Sequence, residues 1–158
     1  MIYTDYKGQQ SSPNKDSIVI ERSGIWAIIT DSKNRILISH PEYDLNSMEL
    51  PGGGIETGED CETSLIREII EEAGVEFKSL SPEKTFNQHV KYGCWDKDEF
   101  WNYDQEYWVI KLKDDTQYFS GKRKTEEGAY GEWVNLSSIQ QENFHFTHCE
   151  AMKKMGVI

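Results

Sequence analysis

Hydrophobic and polar positions change period several times along the chain, and each change marks an element. Gly24-Ile-Trp-Ala-Ile-Ile-Thr30 and Arg35-Ile-Leu-Ile-Ser39 are short β-rich runs with hardly a polar interruption, so both are expected to be largely buried strands. Asp31-Ser-Lys-Asn34 between them supplies polar turn formers, which predicts a hairpin. From Asp60 the period becomes helical and persists to Gly74, with Asp60 as N-cap and the glycine as a natural stop. Further strands are expected in parts of 84–92, 104–112 and 130–134, and helices near 137–142 and 148–155, the last opened by a capping box of Thr147 and Glu150. Residues 1–17 read as a loosely structured arm and 18–158 as a single domain. Strands and helices interleave without strict alternation, which gives an α/β (α+β) layered domain but not its strand order.

Composition narrows the functions available. Among 158 residues, Lys+Arg 17 against Asp+Glu 28 leave a net charge of −11, which repels a phosphate backbone and argues against nucleic acid as a partner. The longest apolar run, Ile25–Ile29, is far too short to cross a bilayer, and Met1–Lys15 holds no continuous apolar stretch of the kind a secretory signal needs. The expected location is cytoplasmic, with no membrane partner. Cys61, Cys94 and Cys149 are odd in number and lack paired spacing, as expected of reduced thiols.

The helix carries the chemistry. Glu68, Glu71 and Glu72 stand at i, i+3 and i+4 and share a face, while Leu65, Ile66, Ile69, Ile70 and Ala73 fall on the opposite arc. Three neighbouring carboxylates repel, and a hard divalent cation with oxygen ligands relieves that repulsion and gives the cluster a use. Gly52-Gly53-Gly54, just before the helix, lets the backbone approach a ligand closely.

Gly53, five residues, Glu59, seven residues, then Arg67-Glu68-Ile69-Ile70-Glu71-Glu72-Ala73-Gly74-Val75 resembles the complete signature of the Nudix hydrolases. With Leu50-Pro51-Gly52, the upstream hairpin and Glu132-Trp133-Val134-Asn135-Leu136, the resemblance extends over about 20–158. It implies a mixed β-sheet sandwiched between helices, and a loop-helix-loop that holds Mg²⁺ or Mn²⁺. The implied activity is hydrolysis of a nucleoside diphosphate linked to another moiety: a nucleoside triphosphate, nucleotide sugar, ADP-ribose or dinucleoside polyphosphate. It assigns metal ligation to Glu68, Glu71 and Glu72 with the Gly52 carbonyl as a fourth ligand, and structural support to Gly53 and to a pair between Glu59 and Arg67. Glu68 is the first candidate for the base that activates water, with Glu126 and Glu127 as rivals from a later loop. Met48-Glu49-Leu50-Pro51 departs from the Trp-Glu-Leu-Pro of many members, and Ser39-His40-Pro41 stands where relatives often carry an arginine.

Specificity must come from elsewhere. Trp95, Phe100, Trp101, Tyr103, Tyr107 and Trp108 crowd the segment 94–108. The plain interpretation is a strand with a small core or a contact in a homodimer; the functional one is a stacking platform for a base, with Trp95, Phe100 and Trp101 as candidates. Arg123, within Lys122–Lys124, is a candidate phosphate contact, against the plainer interpretation of a solvated turn. Tyr92 lies near where dinucleoside-polyphosphate hydrolases of this family often carry a tyrosine. His145, His148 and Cys149 lack a fourth ligand for zinc. The expected partner is a small nucleotide. The competing function is a non-catalytic Nudix-fold sensor module, which the intact glutamates disfavour, and hydrolysis of RNA 5′ ends sits badly with the charge.

Overall fold

The computed structural model describes residues 1–94 and 97–158. In chain order the elements are β1 (Tyr3–Thr4), β2 (Gln10–Ser11), β3 (Ile18–Thr30), β4 (Arg35–His40), β5 (Gly52–Gly54), α1 (Cys61–Ala73), β6 (Lys84–Cys94), β7 (Glu99–Lys111), β8 (Lys122–Lys124), β9 (Tyr130–Asn135) and α2 (Phe146–Lys154). Short 3₁₀ turns at Leu136–Ser138 and Gln141–Asn143 stand where the first late helix was expected. The strands form one mixed sheet in the order β2-β1-β6-β7-β3-β4-β9-β8, with β5 also on β3.

β3 is buried on both faces in its second half, which is why it reads as a continuous apolar run. Ile25, Ala27 and Ile29 pack with Leu65, Ile69 and Ala73 of α1. Trp26 and Ile28 pack on the other side with Ala151 and Met152 of α2. The sheet is thus sandwiched between two helices. On α1, Asp60 accepts a hydrogen bond from the Thr63 N–H, and Gly74 ends the helix at φ 67. Ile70, assigned above to the core arc, is 42% exposed, because the helix buries a narrower stripe through Leu65, Ile69 and Ala73.

The predicted hairpin survives only at its turn. β3 and β4 meet at Thr30 and Ile36, whereas β3 runs parallel to β7 from Ile18 opposite Glu99 to Thr30 opposite Lys111. The edge of β3 that a longer hairpin would have used is taken by the chain from Pro51 to Gly54: Ala27 donates to the Pro51 carbonyl, and Gly24–Trp26 pair with β5. β4 is diverted to β9.

Three further expectations are corrected. Residues 1–17 are no loose arm: β1 and β2 pair, Thr4 sits opposite Tyr92, and Tyr3 and Tyr6 are buried. The strand expected from 104 starts at Glu99, so the aromatic side chains of 100–108 divide between two faces. The capping box of Thr147 and Glu150 does not form. His145 is the N-cap residue without a side-chain bond, Thr147 instead contacts His145 Nδ1, and Glu150 pairs with Lys153. Loop carbonyls take over its task, with Tyr6 O accepting from Phe146 N and Met48 O from His145 N. Among the described residues no helix is long and apolar enough to cross a membrane.

Two predictions follow from packing. A Cβ at Gly131 would fall on the carbonyl of Ala73 where β9 passes the end of α1, so Gly131→Ala should cost ~2 kcal/mol or more in a denaturant titration. Burial holds His145 at a pKa of about 3, so its contribution to stability is full above the ordinary value of 6.5 and is lost as pH falls from there toward 3. His145→Asn should flatten the acid limb of the stability-pH curve by up to about 1.4 kcal/mol per pH unit.

Candidate active site

The acidic face of α1 meets β5 where three glycines bring backbone and carboxylates together. A Cβ at Gly53 would stand 2.7 Å from all three carboxylate atoms of Glu68. Gly52 adopts φ 149, and a side chain there would run into β3 at Ile25 and Trp26. Its N–H donates to Glu72 Oε2 at 2.9 Å, and Ser39 Oγ donates to the Glu72 carbonyl at 2.8 Å. The glycine strand is therefore clamped between β3 and the helix.

Arg67 organises the charges. Its Nε and Nη2 donate to the two oxygens of Glu59 at 2.8 and 3.0 Å, Nη1 to Glu68 at 2.7 Å and Glu71 at 3.0 Å, and Nη2 also to the Gly54 carbonyl at 3.2 Å. Hydrogen bonding to this guanidinium holds the Glu59 carboxyl down at about 2. Glu68 is raised by burial, which Arg67 opposes. Glu72 is raised well above the carboxylate range by burial and then by Glu49, and burial pushes Glu49 itself up to about 7 although Tyr43 donates to it at 3.0 Å.

Glu127 also contributes: its charge raises both Glu68 and Glu72, so it lies within electrostatic reach of the face. Glu126, beside it, is exposed and is not among the charges that chiefly shift either group. Among the described residues no three side chains converge as a ready metal cage, since Glu68 and Glu71 turn to Arg67 and Glu72 to the Gly52 N–H. The donor set nevertheless suits a hard divalent cation: all are oxygens, and the buried Glu49 adds its charge to what makes the half-buried Glu72 costly to ionise. Glu68, Glu71 and Glu72 are the carboxylates that would have to turn from these partners to hold one.

Beside the acidic face opens a cavity of ≈ 270 Å³. Glu49, Gly52 and Glu72 belong to its wall, together with the rings of Trp26, Tyr92, Trp101 and Tyr103 and the imidazoles of His145 and His148. His145 stacks on His148 at 4.3 Å between centroids and on Tyr92 at 5.7 Å, and Tyr92 tilts against Trp101 at 5.3 Å. The Leu50 N–H donates to His148 Nδ1, which puts the proton of the neutral ring on Nε2. Burial lowers the pKa of both histidines, so the wall is flat and uncharged there.

Of the sequence candidates, the structure gathers Glu68, Glu71, Glu72, Glu127, Gly52, Gly53, Glu59, Arg67 and Trp101 around this place. Phe100 lies elsewhere, edge-on to Tyr3 under the N-terminal hairpin. Arg123 donates to the Gly74 carbonyl at 3.1 Å and covers Phe119, at the C-terminal end of α1. Trp95 lies outside the described residues. Sequence reasoning passed over Trp26, Tyr43, Glu49 and the histidine pair as parts of this wall; the one available signal was Glu49, which directly precedes Leu50-Pro51.

If Arg67 ties the loop to the helix, Arg67→Ala should lower the melting temperature more than Glu59→Gln, since it also releases Glu68 and Glu71. In a double-mutant cycle by thermal melts the two losses should not add. Strict additivity would contradict the pairing.

A model of the NUDIX domain matches residues 21–155. The chain is 29% identical over 121 residues to an 8-oxo-dGTP diphosphatase of Escherichia coli strain K12, covering 74% of this chain and 82% of that protein. It is also 29% identical over 83 residues to an RNA pyrophosphohydrolase of Dinoroseobacter shibae, covering 51% of each. Among solved structures, a MutT from a study of the Aliivibrio salmonicida and Vibrio cholerae proteins superposes with a TM-score of 0.53 at 22% identity, over 87% of this chain and 95% of that one. A NUDIX hydrolase from Nitrosomonas europaea gives 0.55 at 18%, over 86% and 90%. At these identities the structures attest the fold alone, whereas the domain match spans most of the sequence: the chain belongs to the Nudix family.

Proposed function

We propose that the protein hydrolyses the pyrophosphate linkage of a small nucleotide, with Mg²⁺ or Mn²⁺ as cofactor. The observation that carries this is the junction of an acidic helix face with an aromatic cavity, joined through Glu72 and Gly52. One part suits a cation and phosphates, the other a flat base. Nudix hydrolases generally use divalent metals. Two relatives are named for splitting phosphoanhydrides, one in a nucleotide and one in RNA. The net charge of −11 favours the small substrate over a polynucleotide.

The cation, when bound, offsets the charge of the phosphates and makes nearby water more acidic. Glu68, Glu71, Glu72 and the Gly52 carbonyl are its proposed ligands. Glu68 is also our first candidate to accept the proton from the attacking water, and Glu127 is the rival, since its field reaches the same face. Arg67 keeps Glu59 and the Gly54 carbonyl in place, so its role is positioning. The aromatic wall that includes Trp101 and Tyr92 offers apolar surface for the base, a gain of ~1–3 kcal/mol for one good stack.

The test is a phosphate-release screen in Mg²⁺ over nucleoside triphosphates, nucleotide sugars, ADP-ribose and dinucleoside polyphosphates. Chelation should abolish turnover, and Glu71→Gln or Glu72→Gln should lower kcat/KM by ~100-fold or more. Removing a negative charge from the face should leave the metal-free fold intact. Binding of a nucleotide without turnover would instead identify a sensor module, and near-normal activity of both variants would overturn the ligand assignment.

A further inference from the structure

Two cations near the site are in no salt bridge among the described residues, Lys97 of the cavity wall and Arg22 at its edge, and of the two Arg22 is the one held against a ring of that wall. It stands on β3, exposed, and among the described residues it has neither a salt bridge nor a side-chain hydrogen bond. Arg67, by contrast, spends its donors on three glutamates and a carbonyl, and Arg123 is held at Gly74. In a chain with 11 more acidic than basic residues, an arginine whose donors no carboxylate takes is open to an anionic ligand.

Its position is fixed from three sides. The guanidinium carbon lies 4.3 Å from the centroid of Trp101, a ring of the cavity wall. Its Nη2 stands 3.2 Å from where a Cβ on Gly54 would be, one residue along from the glycine that abuts the Glu68 carboxylate. Its charge reaches the Tyr103 hydroxyl, where it opposes the rise caused by burial. Arg22 thus lies where the aromatic cavity passes into the glycine strand and the acidic face.

Stacking on Trp101 uses the face of the guanidinium and leaves its edge of N–H donors free. A planar, permanently charged fork in that state matches phosphate oxygens in geometry as well as charge. A nucleotide with its base among the rings and its pyrophosphate at α1 has to carry its nucleoside-proximal phosphate past this point. We propose that Arg22 is a substrate-binding residue that grips the nucleoside-proximal phosphate of the nucleotide, with Trp101 as the platform that holds the guanidinium in place. This rests on the proposed nucleotide-hydrolase function. It also gives an acidic protein a local attraction for an anionic substrate that is separate from the metal.

Arg22→Met tests it, because the unbranched stem still covers Trp101 while the charge and donors are gone. In the presence of Mg²⁺, calorimetric titration with inorganic pyrophosphate, with the four nucleoside 5′-monophosphates and with the four nucleosides separates phosphate from base contacts. The expected result is a 10-fold to 100-fold weaker affinity for pyrophosphate and for the tightest monophosphate, as for loss of a charged hydrogen bond. Affinity for the matching nucleoside should change less than 2-fold, and the melting temperature should stay as in the parent. On the best substrate of the screen, KM should rise by the same factor while kcat changes much less. Arg22→Lys should recover part of the loss. Unchanged affinity for pyrophosphate and monophosphate, or an equal loss for the nucleoside, would overturn the assignment. Should the parent turn over none of the substrates, the proposed function fails, while the binding comparison still decides the role of Arg22.

Discussion

Negative charge concentrated against a buried strand is the constraint around which this structure is arranged. Glu68, Glu71 and Glu72 follow one another on a single helix face, and Glu49 and Glu127 bring their charge to the same place from other segments. One guanidinium answers much of it. Arg67 links Glu59 from the preceding loop, two carboxylates of its own helix and the Gly54 carbonyl, so the same side chain neutralises charge and fastens β5 to α1. Glu72 lies beyond its reach and is held by a backbone N–H instead, in surroundings that make ionisation costly. Charge density that folding alone leaves only partly compensated is what a cation-dependent site requires.

Close approach of backbone is the second requirement, and it explains the glycines at the site. At Gly52 and Gly53 a methyl group would strike β3 in one case and the Glu68 carboxylate in the other. The same economy appears at Gly131, where β9 touches the end of α1. Helix, glycine strand and sheet thus form one rigid unit, and the carboxylates are aimed by packing against it.

The aromatic wall depends on more distant parts of the chain. Tyr92 comes from β6, Trp101 and Tyr103 from β7, His145 and His148 from the start of α2, and Tyr43 from the loop after β4. The N-terminal hairpin supports this assembly through Tyr6, whose ring lies against Tyr43 and His145 and whose carbonyl receives the first N–H of α2. A segment that resembles a tail in this way supports the wall of the cavity from outside it.

What the sequence by itself determined is whatever rests on contacts within a few residues. The caps of α1 at Asp60 and Gly74 and the common face of its three glutamates follow from helical geometry, and the burial of β3 follows from its unbroken apolar run. The signature from Gly53 to Val75 is local as well, so the family was legible in it. Tertiary structure decided everything that depends on which distant segments meet. Local pattern favoured β4 as the partner of β3, yet a parallel partner with a complete register, β7, takes one edge and the glycine strand part of the other. The aromatic segment could not be divided between wall and support until β7 fixed which side chains face which way: Trp101 turns to the cavity and Phe100 to Tyr3. His145 and His148 are polar in sequence and neutral wall in the fold, because burial among rings outweighs their preference for charge. Arg22 differs from the other basic residues only in what surrounds it, and that is a property of packing alone.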